Sequence, residues 1–282
     1  MSSCPVSLIV ELEPMKLMVN GQPLYKLEPF WVYYNCTEFN VIQILPHPER
    51  LDKLDWYFLP SHNPDGYHKS REEDRMWRKT TTKYENDICQ GTDANRNWDF
   101  HWAEEGASDS SCSQTYHGPE AFSEVEARNV RDFLLARKDQ IKYFQTLHSY
   151  SQLILFPWGY TEDNAPGINE FYNVKVPTQI KNSFLGFDKM SDLANRGNDA
   201  LYNTHGKFYE AGCIPCVLYV ASGTSLDWAL GVAGIPYVYS IELRDTGAYG
   251  FLLPASEIIP NAEETWAFHL VAARQIIEEF GS

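Results

Sequence analysis

The chain has 282 residues, 44% of them apolar, and its 23 Lys and Arg against 38 Asp and Glu leave a net charge of −15. A field of that sign repels phosphate backbones, which disfavours nucleic-acid binding. No apolar run reaches the roughly 18–20 residues that a membrane-spanning helix needs. The apolar content is enough to bury a substantial core, and without a repeat, linker or low-complexity tract the chain reads as one domain.

The N-terminus, MSSCPVSLIVELEP, carries an apolar patch from Val6 to Val10, but no basic residue precedes it and Glu11 and Glu13 break it, so no signal peptide is read there. Six cysteines and the glycosylation acceptor at Asn35 point toward an oxidising compartment. Residues 54–60, LDWYFLP, form a short aromatic and apolar run ended by Pro60, the pattern of a buried strand. Asn63, Pro64, Asp65 and Gly66 then supply turn chemistry, and His62 and His68, flanking that turn, read as surface loop residues.

Ser123 stands three residues before Glu126, the spacing of a capping box, and Val130, Phe133, Leu134 and Ile141 continue at roughly helical intervals. This predicts a helix ahead of a strand that ends at His148. A second amphipathic helix is expected over about Phe187–Leu201, and IPYVYSIEL, residues 235–243, reads as an almost wholly buried strand in which Glu242 is the odd residue. From Pro260 the tail repeats Trp266, Leu270, Ile277 and Phe280 at helical spacing, a terminal helix. Strands alternating with helices imply an α/β layer fold whose chemistry sits at strand ends, where His148 and Glu242 both fall.

Residue types alone leave the chemistry open. Asn95 beside Arg96 suits a carboxylate clamp, since the guanidinium offers a bidentate fork and the amide a neutral donor, but also fits a loop arginine in surface ion pairs. Glu242 is either a satisfied buried acid or a general base. His148 is either a hydrogen-bonded core histidine or a metal ligand.

The stretches NPDGY, RMWRKT, DANRNWD, CSQTYHG, LHSYSQLILFPWGY, YVASGTSLDW and IELRDTGAYGFLLPASEIIPNAEETW occur in one order. By them the chain, from about Leu51 to Phe280, closely resembles the catalytic domain of the zinc metallocarboxypeptidases of the pancreatic carboxypeptidase A and B family. The resemblance implies an α/β fold with a mixed, mostly parallel central sheet of about eight strands between helices. It implies an extracellular, monomeric enzyme that binds Zn2+ and removes one residue from the free C-terminus of a peptide substrate, with no nucleic-acid or membrane partner.

By block alignment Glu242 falls on the general base and Arg78 on the side chain that stabilises the tetrahedral oxyanion. Asn95 and Arg96 match the pair that grips the terminal carboxylate, Tyr219 the tyrosine that closes over it, and Tyr150 and Ser149 the neighbouring subsite. Leu226 matches the floor of the specificity pocket, where B-type members place an acid, so an apolar floor implies preference for apolar or aromatic C-terminal residues. Cys89 and Cys112 match the family's disulfide, and CIPC, at Cys213 and Cys216, is read as structural rather than as a redox or zinc pair.

His148 matches one of three zinc ligands. The other two, a His-x-x-Glu pair usually within HAREW, have no counterpart: the corresponding region reads Asn20, Gly21, Gln22 and Pro23, and His47 and Glu49 have the wrong spacing with a proline between them. Residues 1–50 do not resemble the family and 51–282 form the catalytic-domain remainder, so the first strands of the sheet are missing or replaced. One of them belongs inside the sheet, and VSLIVEL is the candidate to fill its place. Two classes of function follow, a zinc-dependent exopeptidase and a non-catalytic binder of peptide C-termini.

Overall fold

The computed structural model describes residues 54–85, 88–162 and 178–281, together with four strands of the N-terminal segment. These are β1 (Ser7–Leu12), β2 (Met18–Val19), β3 (Gln22–Pro23) and β4 (Val32–Tyr34). The strand read from LDWYFLP is β5 (Asp55–Leu59), with Trp56, Tyr57 and Leu59 buried. The Asn-Pro-Asp-Gly segment that follows is the start of a helix and not a free turn. Asn63 caps α1 (Pro64–Glu72), its Oδ1 accepting the Gly66 N–H at 2.9 Å, and Pro64 takes the first helical position, where a missing N–H costs nothing.

Helix α2 (Val125–Leu135) buries Ala127, Val130, Phe133 and Leu134, as its spacing predicts. The expected capping box is not formed. Glu124 holds the N-cap position without a side-chain cap bond, while the Ser123 hydroxyl donates to Glu124 Oε1 and accepts from Asn97 Nδ2, both at 2.9 Å. Burial of the Glu124 carboxylate among Thr80, Thr82, Tyr84 and Ser123 claims the hydroxyl that would otherwise cap the helix. Ile141 lies beyond α2 and opens the next strand, β6 (Ile141–Ser149).

After β6 come β7 (Leu153–Phe156), α3 (Thr178–His205), β8 (Glu210–Cys213), the short α4 (Ile214–Val217) and α5 (Ser225–Gly231). Strand β9 (Tyr237–Leu243) and helix α6 (Ile258–Phe280) complete the chain. Helix α3 extends past both ends of the stretch marked by apolar spacing. On α6 the deepest positions are Phe268, Ala272 and Ile276, whereas the predicted Trp266, Ile277 and Phe280 pack at the margin of the core. The face is turned because Glu264 is also buried, receiving Arg244 Nε at 2.9 Å. Among the described residues no helix is long and apolar enough to cross a membrane.

The main sheet has seven strands in the order β4-β5-β1-β6-β9-β7-β8, and β2 and β3 form a separate ribbon. The β5, β1, β6 and β9 neighbours run parallel, as do β7 and β8, while β4 on β5 and β7 on β9 are antiparallel. The interior place left open by the sequence is taken by β1, which pairs with β5 from Ser7↔Asp55 to Glu11↔Leu59 and with β6 from Ser7↔Ile141 to Leu12↔Leu147.

Alternation along each strand gives the sheet two faces with different work. On one, Trp56 meets Trp266, Gln145 meets His269, and Tyr239 meets Phe268 and the Met190 carbonyl, so α3 and α6 cover it. On the other, Tyr57 packs edge-on against Phe133 of α2, and Thr146, His148, Ser240 and Glu242 open toward α5 and the loops.

Because β1 is hydrogen-bonded on both sides, every N–H in its middle belongs to a ladder. Ile9→Pro is expected to lower the unfolding free energy by about 1–3 kcal/mol, the cost of a lost bond and an orphaned partner. Chemical denaturation measures this, and an unchanged midpoint would mean that the sheet does not depend on the N-terminal strand.

Candidate functional site

Parallel pairing of β6 with β9 places His148 directly beside Glu242 and Thr146 beside Ser240, on the same face. Strand β7 adds Leu155, opposite Ser240. At the C-terminal edge of β6 and β9 opens a cleft lined by Arg78, Asn95, Arg96, His148, Tyr219, Leu226 and Glu242, among others. Seven of the side chains singled out in the sequence therefore meet around one hollow. Ser149, which ends β6, and Tyr150, which follows it, do not line the cleft; Tyr150 packs edge-on against Phe251 at 5.0 Å.

The loop carrying Asn95 and Arg96 is held from below. Asp93 Oδ1 accepts the Asn95 N–H at 3.0 Å, starting a 3-10 turn over Ala94–Arg96, and the buried Trp98 indole donates to the Ala94 carbonyl at 3.0 Å. Asn95 Oδ1 accepts both the Ser225 N–H at 3.0 Å and the Ser225 hydroxyl at 3.1 Å. A backbone N–H can only donate, so the amide orientation is set and Nδ2 becomes the group presented to the cleft.

Arg96 is only 3% exposed, with Nε donating to Gly106 O and Nη1 to Asn95 O, each at 2.8 Å. Two carbonyls thus fix the plane of the guanidinium and leave Nη2 for a ligand. Arg78 donates from Nε and Nη2 to Asp93 Oδ2 at 3.1 and 2.9 Å. Burial alone would raise the Asp93 carboxyl, but Arg78 and Arg96 outweigh it and hold the group below the usual carboxylate range. One buried anion thereby anchors Arg78 and attracts Arg96 through its charge.

The inner end of the cleft is apolar. Leu155, Ile214, Ala221 and Leu226 line it with Thr224 and Ser240, and Leu226 is 1% exposed. The adjacent acid, Asp227, does not line the cleft: its carboxylate accepts the Gly159 N–H at 2.9 and 3.0 Å and the Tyr160 N–H at 3.1 Å. Leu218 and Tyr219 lie at the mouth, where Tyr219 is 54% exposed.

A second, small hollow shares Asn95 and His148 and is lined also by His62, Thr146, Trp98 and Ser225. His62 is therefore half-buried at the site and not a surface loop residue, while His68 is exposed as expected. A signal for His62 existed, since it follows β5, whose C-terminal end points the same way as those of β6 and β9. Of the apolar wall, Leu155, Ile214 and Ala221 were missed, as was Thr146, because nothing local marks them.

The zinc carboxypeptidase family model, peptidase M14, matches residues 45–268. This chain belongs to that family. It is 45% identical over 241 residues to carboxypeptidase B of Astacus astacus, covering 85% of this chain and 73% of that protein. It is equally 45% identical over 216 residues to carboxypeptidase A2 of Mus musculus, covering 77% of this chain but 47% of the relative, so it spans about half the length of that protein. Among solved structures, bovine thrombin-activatable fibrinolysis inhibitor in complex with tick carboxypeptidase inhibitor superposes with a TM-score of 0.71 at 37% identity, covering 81% of this chain and 71% of that one.

The carboxypeptidase-like α/β fold expected from the sequence is thus present, as is the Cys89–Cys112 disulfide. Strand β1 lies outside the family match. Membership implies zinc, yet among the described residues no three His, Cys, Asp or Glu side chains converge to hold a metal. A zinc site takes at least three protein donors, and His148 is a single candidate, so the described donor set does not fit the ion. Asn20–Pro23, His47 and Glu49 fall outside the residues whose side chains are described.

Burial pushes the Asp227 carboxyl up from 3.8 to about 7. Between those values the folded chain keeps a proton that the unfolded chain has lost, so folding loses stability as the pH rises from about 4 to about 7. Relative to Asp227→Asn, the wild type should lose about 1.4 kcal/mol per pH unit across that window. Parallel urea melts that give equal slopes for both proteins would refute the assignment.

Proposed function

We propose that this chain recognises the free C-terminus of peptides whose last residue is apolar or aromatic. The single observation that carries this reading is that Asn95 Nδ2 and a carbonyl-fixed Arg96 present donors to a cleft whose inner wall is apolar. A carboxylate needs a convergent fork of donors, and a side chain next to it needs a dry slot of matching polarity. Tyr219 stands at the mouth, where it would close over a bound terminus, and Ser149 and Tyr150 would meet the residues upstream.

The two relatives of equal identity carry A-type and B-type names, so overall likeness does not select the last residue. The floor supports an A-type preference. Leu226 stands where B-type members place an acid, and the neighbouring Asp227 spends its oxygens on two backbone N–H groups. The two disulfides among the described residues fit an oxidising, extracellular setting.

Calorimetric titration in chelator-treated buffer tests the reading with N-acylated dipeptides ending in Phe, Phe-amide or Lys. The Phe acid should bind best, and Arg96→Lys should weaken it about 10- to 100-fold, the worth of a lost charged hydrogen bond. Equal binding of acid and amide, or tighter binding of the Lys ligand, would sink it.

A second reading, zinc-dependent hydrolysis of the last peptide bond, is favoured by Glu242 and Arg78 facing the same cleft as His148. There Glu242 would act as general base and Arg78 as partner of the developing oxyanion. It requires zinc donors beyond the described residues. Elemental analysis of dialysed, folded protein decides: about one tightly held zinc per chain supports hydrolysis, and none leaves recognition alone.

A further inference from the structure

The cleft wall includes a covalent feature with no part in the recognition just described. Cys213 ends β8, Cys216 lies within α4, and the two are joined as a disulfide three residues apart. Between them sits Ile214, a wall residue, and directly after them come Leu218 and Tyr219 at the mouth. The same turn is closed by the Leu218 N–H donating to the Ile214 carbonyl at 2.9 Å.

So short a loop restricts the unfolded chain very little, so the bridge adds less to global stability than one closing a long loop. What it does constrain is local shape. Packing around it is tight: a Cβ at Gly212 would lie 2.7 Å from Val217 Cγ1, and one at Gly159 would lie 2.8 Å from Ile214 Cδ1. Ile214 is thus held between the bridged turn and the Gly159 backbone, which is itself fixed by Asp227. The two cysteines differ in access, with Cys213 1% exposed and Cys216 at the surface.

We propose that the Cys213–Cys216 disulfide is a reducible brace that sets the apolar wall of the pocket. Opening it loosens Ile214 and Leu218 and so selects against large apolar C-terminal side chains, while Asn95 and Arg96 keep their grip on the carboxylate. The reductant is a dithiol. Its thiolate attacks the sulfur of Cys216, the S–S bond breaks and Cys213 leaves as a thiolate that takes up a proton. The second thiol of the dithiol then resolves the mixed disulfide, releasing Cys216 as a thiol and the reductant as its cyclic disulfide, two electrons in all. Cys213 and Cys216 are positioning residues here, acting through Ile214 and Leu218.

This rests on the pocket holding the last residue of a peptide. The experiment compares oxidised wild type, wild type treated with a dithiol, and Cys216→Ser, which breaks the same bond at the exposed position. Each is titrated with N-acylated dipeptides ending in Phe and in Gly, with peptide mapping of the reduced sample to verify that Cys89–Cys112 stays closed. The expected result is at least a fivefold fall in the Phe-to-Gly affinity ratio in both opened forms, with Gly binding within twofold of the oxidised protein and the ratio restored on reoxidation. A ratio that does not change, or equal losses for both ligands, overturns the brace while leaving the pocket reading intact. Failure of the oxidised wild type to bind either ligand overturns the pocket reading, and the brace with it.

Discussion

The parallel pairing of β6 with β9 is the constraint on which the rest of the site depends. It sets His148 against Glu242 at adjacent strand ends, on the face that α3 and α6 leave uncovered. A slip of β9 by one residue would turn Glu242 to the opposite face, away from His148, and pull Tyr239 out of its contact with Phe268. The register is held by what lies underneath, since Tyr143, Phe144, Tyr237 and Val238 are all buried to 1% exposure or less. Ordinary packing of aliphatic and aromatic residues therefore positions groups that do no packing themselves.

Charge in the cleft is organised by a different device. Arg96 and Asn95 do not sit on the sheet; they belong to a loop that the Asp93 carboxylate, the Trp98 indole and Ser225 hold in place. Each anchoring group consumes the hydrogen-bonding capacity that faces away from the cleft and leaves the capacity that faces it. This is preorganisation by prior satisfaction: the donors that face the cleft are already oriented, so an acceptor placed there would cost little further side-chain freedom. Close backbone approach supports the same loop, for a Cβ at Gly223, where φ is +65°, would lie 2.6 Å from the Arg96 carbonyl.

The sequence made some of this legible and hid the rest for physical reasons. β5 and β9 could be read because an apolar run bounded by breakers is too short for a helix and too apolar for a loop. The start of α1 was misread as a turn because Asn-Pro-Asp-Gly satisfies turn chemistry and N-capping equally, and only the helix that follows distinguishes them. Ser123 lost its cap role to a buried carboxylate whose other partners are some 40 residues earlier. Glu242 and His148 could be paired from their shared position at strand ends, whereas Leu155 forms a wall with Ile214 and Ala221 only when two distant segments meet. His62 carried a usable signal, its place after a parallel strand, that was outweighed by the general exposure of loops.

The contrast between the filled sheet and the unfitted metal site follows from what each demands of a sequence. An interior strand needs backbone N–H and C=O groups at the right spacing and side chains that tolerate burial, and SLIVEL offers both. Many six-residue segments would do. A zinc site needs particular donor atoms at particular positions, and a segment chosen only by its fit to a sheet brings them no more often than chance. Pairing is therefore supplied by β1 although no metal-binding group forms among the described residues, whereas Asn95 and Arg96 are held by the loop between Asp93 and Trp98, by Gly106 and by Ser225, independently of that strand. Completion of the sheet and placement of the cleft's side chains are separable in this architecture because they draw on different parts of the chain.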